Sequence, residues 1–148
     1  MTAVLVDTNV LVYAHDRGEP EKQARAIEVL ARLEDNHNGR LSVQMLAEFF
    51  SVTTRSQPPK LIVSQAAQQV ERFVQGWPVL PLTPQIILEA VRGVRIHQLA
   101  YWDAQIWATA RLNQIPVVFG EDFNIGSTLE GVRFVNPFAP DFVLENWA

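Results

Sequence analysis

The sequence has no cysteine among its 148 residues, which excludes disulfides, thiolate metal sites and cysteine nucleophiles. A chain without disulfides fits a reducing compartment, and the cytoplasm is the expected location. No apolar run approaches the roughly 18 residues that span a bilayer. The amino-terminal apolar stretch carries Asp7 and lacks both a basic leader and a small-residue cleavage site. Neither a signal peptide nor an anchor is expected, and no membrane partner. An excess of positive charge is missing as well: 12 Lys and Arg against 16 Asp and Glu leave a net charge of −4. Broad electrostatic attraction to nucleic acid is therefore disfavoured, because non-specific affinity comes mainly from neutralised phosphates. A nucleic-acid enzyme stays open if some of the acids hold divalent cations that face the phosphates. Repeats, low-complexity segments and linkers are also lacking. With 48% hydrophobic and 19% charged residues, 1–148 reads as a single compact domain.

Val4-Leu5-Val6 reads as a strand buried on both faces, of the kind found inside parallel sheets. It stops at Asp7, after which Thr8 and Asn9 lead into an apolar helix. Pro20 opens a second helix, ended near Asn36-His37-Asn38-Gly39. Leu41-Ser42-Val43 is a short strand, and Ser42 or Gln44 can cap a helix from Met45 to Thr54. Ser56-Gln57-Pro58-Pro59 is a loop, and Ser64 to Gln75 a helix with Ala67, Val70 and Val74 inward. Val79 to Leu82 is a strand, and Thr83-Pro84 starts a helix expected to bury Ile87, Ala90, Val91 and Val94, with Glu89, Arg92 and Arg95 outside. Tyr101-Trp102 lead into a helix ending near Asn113. Pro116 to Phe119 and Val132 to Val135 are the last strands. Alternating strands and helices imply one α/β layer fold with a mostly parallel sheet.

Four acids stand out. Asp7 and Asp122 follow apolar strands, while Glu48 shares a helical stripe with Met45, Phe49 and Val52, and Asp103 one with Ile106, Trp107 and Ala110. A buried carboxylate needs a partner, a proton or a cation, and no basic residue lies on these stripes. An all-oxygen ligand set favours Mg²⁺ or Mn²⁺ over zinc. Ions held this way activate water and stabilise in-line displacement at phosphorus, which is nuclease chemistry. His15, His37 and His97 share no spacing and read as ordinary histidines. Arg55, Lys60, Arg92 and Arg95 are possible phosphate contacts, although solvated charges are commoner. Trp102 and Trp107 do not share a helical face, so packing fits them better than a base-stacking platform.

Asp7-Thr8-Asn9 after a strand, Ala47-Glu48-Phe49 in a helix, Tyr101-Trp102-Asp103-Ala104 opening a late helix and Glu121-Asp122 after the next strand resemble the PIN domain. More narrowly, they resemble the VapC-type ribonuclease toxins of bacterial toxin-antitoxin pairs, and the likeness extends to Gly131 through Phe138. The resemblance implies a three-layer fold with a five-stranded parallel sheet between helices, Mg²⁺ or Mn²⁺ at Asp7, Glu48, Asp103 and Asp122, and endonucleolytic cleavage of RNA. It also implies a homodimer neutralised by a cognate antitoxin, and a site-orienting role for Asn9. There is one departure: Gly120 stands where the family often has Ser or Thr, which removes a hydroxyl near the site. Glu121 is a possible substitute for Asp122. Two rival readings are a catalytically weak interaction module on the same fold and a phosphatase using Asp7 as nucleophile. The second lacks the Asp-x-Asp pair, since Asn9 occupies the second position.

Overall fold

The computed structural model describes residues 2–123 and 128–147. Strand β1 (Val4–Val6) lies at the centre of a six-stranded sheet ordered β3-β2-β1-β4-β6-β5. Its neighbours are β2 (Gly39–Ser42) and β4 (Val117–Phe119), both parallel to it. Outside them lie β3 (Val79–Leu80) and β6 (Val132–Val135), also parallel. These are the five parallel strands that the sequence implies. A sixth, β5 (Thr128–Leu129), pairs antiparallel with β6 and makes the sheet mixed. The two join through Glu130 and Gly131, both with positive φ, the backbone that a tight hairpin requires.

Side chains alternate across the sheet, so β1 serves two cores at once. Val4 and Val6 join Val117 and Phe119 against helices α1 (Thr8–Tyr13) and α2 (Pro20–Asp35), together with Leu46 and Phe49 of α3 (Val43–Arg55). The partly buried Val70 and Phe73 of α4 (Val63–Gly76) and the tail residues Phe142 and Leu144 close this side. Leu5 and Val118 face the opposite way, against Met45, α5 (Pro84–His97) and α6 (Tyr101–Leu112). The result is a three-layer α/β arrangement. Helix α6 is its most enclosed element, with every residue from Ala104 to Ala110 buried.

Three sequence-based expectations are corrected. Helix α5 buries Ile86, Ala90 and Gly93, whereas Val91 and Val94 are exposed. The reason is steric: a Cβ at Gly93 would lie 2.9 Å from the Trp107 ring, so α5 turns its smallest residues toward α6. In α4 the buried residue is Ala66, and Val74 faces solvent. Val43 opens α3 rather than ending β2, because Ser42 Oγ accepts the Met45 N–H at 3.4 Å and caps the helix there.

Candidate active site

Parallel strands place their carboxyl ends along one edge of the sheet, and in open α/β sheets ligands bind there. Asp7 follows β1 on that edge, and its N–H continues the ladder to the Phe119 carbonyl at 2.8 Å. Asp122 follows β4 after Gly120 and Glu121. Glu48 projects from α3, which leaves β2 at the same edge, and Asp103 lies in the first turn of α6. The fold therefore collects at one edge four acids separated by up to 115 positions, from 7 to 122.

Asp7 is the most enclosed of them, and it also caps α1. Its Oδ1 accepts the Thr8 N–H at 2.8 Å, and its Oδ2 accepts from Asn9 Nδ2 at 3.3 Å. Burial pushes its carboxyl up to about 6, the Thr8 bond pulls the other way, and repulsion from Glu48, Asp103 and Asp122 adds to the rise. Asp103 is raised too, first by burial and then by Asp122. Glu48 and Asp122, by contrast, are exposed. The expectation that Glu48 points with the core residues of its stripe is therefore corrected. Met45 and Phe49 are buried, but Val52 is exposed, and Glu48 and Val52 line a cleft instead.

That cleft encloses about 410 Å³ between Asp7, Thr8, Asn9, Val12, Tyr13, Asp16, Glu48, Val52 and Lys60. Glu48 is held from two sides: Thr8 Oγ1 donates to its Oε2 at 2.9 Å and Gln44 Nε2 to its Oε1 at 2.7 Å. Gln44 in turn accepts from Gln105 Nε2, and Gln105 Oε1 accepts from Tyr101 Oη at 2.9 Å. This chain of bonds ties α6 to α3 and fixes Glu48 relative to the helix bearing Asp103. Sequence reasoning missed Thr8 and Gln44. For Gln44 a signal was present, since it stands one helical turn before Glu48.

The geometry separates Glu121 from Asp122. Glu121 accepts from Tyr13 Oη at 2.7 Å and pairs with Lys22 Nζ at 2.5 Å. Burial alone would raise its carboxyl, but the Lys22 and Tyr13 bonds outweigh burial and hold it below its usual value. It is an anchored structural acid, while Asp122 is the residue whose charge reaches Asp7 and Asp103. Gly120 is explained as well: a Cβ there would meet the Phe123 ring at 2.3 Å and the Asp7 Cβ at 3.1 Å. Phe123, stacked edge-on against Phe134, fills the space that a side chain at 120 would need.

Two observations bear on whether these acids suit a divalent cation. None of the four takes part in a salt bridge among the described residues, although Glu28, Glu34, Glu89, Glu121 and Glu130 do. Asn9 Oδ1 is buried with no donor, an orphaned acceptor beside Asp7. The donor set and its unbalanced charge therefore fit a hard cation. Among the described residues no three acids stand close enough to grip an ion directly.

The PIN-domain family model matches residues 4–126. No curated protein matches the sequence. Among solved structures, a toxin-antitoxin complex from Klebsiella pneumoniae is similar at TM-score 0.66 and 17% identity, over 91% of this chain and 98% of that one. The sarcin-ricin-loop-cleaving toxin VapC20 of Mycobacterium tuberculosis is similar at TM-score 0.64 and 19% identity, over 88% and 99%. VapBC2 of Rickettsia felis, bound to a DNA fragment from its promoter, gives TM-score 0.64 at 14% identity, over 91% and 98%. At such identities the likeness is one of fold.

Proposed function

The chain belongs to the PIN-domain family, and we propose that it is a Mg²⁺- or Mn²⁺-dependent endoribonuclease, the toxin of a toxin-antitoxin pair acting in the cytoplasm. The observation that carries this reading is the set Asp7, Glu48, Asp103 and Asp122, gathered on one sheet edge, mutually repelling and free of cationic partners among the described residues. A divalent ion bound there would neutralise developing charge and lower the pKa of a water for attack at phosphorus. Asp7 is the central ligand in this scheme, positioned by Thr8 and Asn9, with Glu48 oriented by Thr8 and Gln44. Asn9 Oδ1, which lacks a donor, would supply an acceptor for a water held by the ion. The antitoxin partner is supported by the neighbours, among them the toxin-antitoxin complex from Klebsiella pneumoniae and VapBC2 of Rickettsia felis. We take residues 1–148 as one catalytic unit.

Purified protein incubated with single-stranded and structured RNA should cleave in Mg²⁺ or Mn²⁺ and not in chelator. Asp7→Asn and Asp103→Asn should each lower the rate at least 100-fold, about 3 kcal/mol of transition-state stabilisation. Expression without a partner should arrest growth. Cleavage that survives chelation would sink the reading. The rival, a catalytically weak interaction module, has one observation in its favour, the Phe123 ring where the family often has a hydroxyl. Intact folding with no cleavage in either metal would select it.

A further inference from the structure

We infer that Lys60 binds a backbone phosphate of the RNA one step away from the acids, so that the cleft runs as a track from Asp7 past Lys60 toward Arg17. This rests on the nuclease reading above and adds the residue that makes an acidic edge acceptable to a polyanion. Lys60 lines the cleft of Asp7, Asn9 and Glu48, and it also lines a neighbouring cleft of about 550 Å³ bounded by His15, Asp16, Arg17 and the loop Ser56 to Pro59. It thus stands at the junction of the two.

Three facts taken together support this assignment. First, Arg92 and Arg111 are bound to Glu89 and Glu130, Lys22 to Glu121 and Arg72 to Glu34, whereas no salt bridge engages the Lys60 ammonium among the described residues. Asp16, the acid shared by both clefts, directs Oδ1 to the Gly18 N–H at 3.0 Å. Second, the Lys60 backbone is pinned: its N–H donates to the Thr53 carbonyl at 3.0 Å and to Ser56 Oγ at 3.1 Å. Third, Thr53 is buried near the end of α3, the helix that carries Glu48, so Lys60 and Glu48 keep a fixed relation. A half-buried cation without a salt-bridge partner among the described residues, lining one cleft with Asp7, Asp16 and Glu48, is arranged for an external anion. With a net charge of −4, the protein has no broad positive field to supply that attraction instead.

The test is binding of a single-stranded oligoribonucleotide to full-length protein in chelator, by fluorescence anisotropy over a salt series. Lys60→Met, which keeps the aliphatic stem, should weaken binding roughly fivefold or more and reduce the slope of log affinity on log salt by about 0.7 to 1. Lys60→Arg should restore both, and Arg95→Ala, on α5 across the sheet, should change neither. Melting temperatures should match wild type, because the side chain makes no internal ion pair. An unchanged slope in Lys60→Met, an equal loss in Arg95→Ala, or no RNA binding by wild type would each overturn the proposal. The two readings fail separately. Lys60-dependent binding with no cleavage in Mg²⁺ or Mn²⁺ removes the nuclease and leaves the phosphate site. Normal cleavage with Lys60→Met binding like wild type does the reverse.

Discussion

Asp7 does two jobs that pull in opposite directions. As the cap of α1 it accepts two hydrogen bonds and favours the folded state; as a buried carboxylate facing three others it opposes folding whenever it is ionised. Its carboxyl stands at about 6 in the fold against an ordinary value near 3.8. The native state therefore holds its proton where the unfolded chain has lost it. Stability of the metal-free protein should be unaffected by Asp7 below about pH 4, fall as pH rises from about 4 to 6, and carry a constant cost of up to about 3 kcal/mol above that. Asp7→Asn removes the charge but keeps an oxygen for the Thr8 N–H. Asn9, with its amide turned over, can then present its orphaned Oδ1 to the new NH₂. At pH 8 in chelator the variant should be more stable by about 1 to 3 kcal/mol, and at pH 4 the two should melt together. Mg²⁺ should raise the wild-type melting temperature and barely move the variant. A variant that melts lower than wild type at pH 8 in chelator would show that the cap outweighs the repulsion and that the acids are not poised for a cation.

At the scale of elements, the turn after β4 is where this chain departs from the pattern that it otherwise follows. Its two ends are fixed differently: Glu121 is tied to Lys22 and Tyr13, while Gly120 lies under the Phe123 ring. Gly120→Ser should cost about 1 to 3 kcal/mol by overpacking, since the new Cβ meets aromatic carbon rather than open space. Gly120→Ser with Phe123→Ala should melt higher than the additive expectation from the single changes, measured as a double-mutant cycle. Additive losses would mean that the ring does not dictate the glycine. The same turn shows what sequence can and cannot supply. Local signals survived folding: the all-apolar β1, the Ser42 cap and Thr83 before Pro84 each appear where their own chemistry puts them. Choices decided by distant residues did not. Setting Asp122 apart from Glu121 required Lys22, 99 positions away, and the removal of Arg92 from the phosphate contacts required Glu130, 38 positions away. Strand β5, only two residues long, is too short to show alternation and exists because β6 offers it an edge.

For the whole molecule, the misjudged face of α5 is informative. Ile87, Val91 and Val94 follow one another at i, i+4, i+7, a pattern that ordinarily marks a core stripe, yet the core takes Ile86, Ala90 and Gly93. The helix is apolar on two sides, and only one can face α6. On the other, Leu88 is 71% exposed, Val91 43% and Ile96 53%, with Arg95 on the same outer surface. An exposed apolar stripe on a small acidic domain calls for a cover, and a second copy of the chain related by a two-fold axis would pair the stripe with itself. We propose that the expected homodimer forms through this face. Light scattering at micromolar concentration should find a dimer. Val91→Glu, which puts a carboxylate into the apolar seam, should yield a monomer whose far-ultraviolet circular dichroism and Mg²⁺-induced stabilisation match wild type, because the acids lie at the sheet edge and not on this face. A wild-type monomer at all accessible concentrations would overturn the assembly. A Val91→Glu dimer would leave the assembly in place and move its interface to another surface.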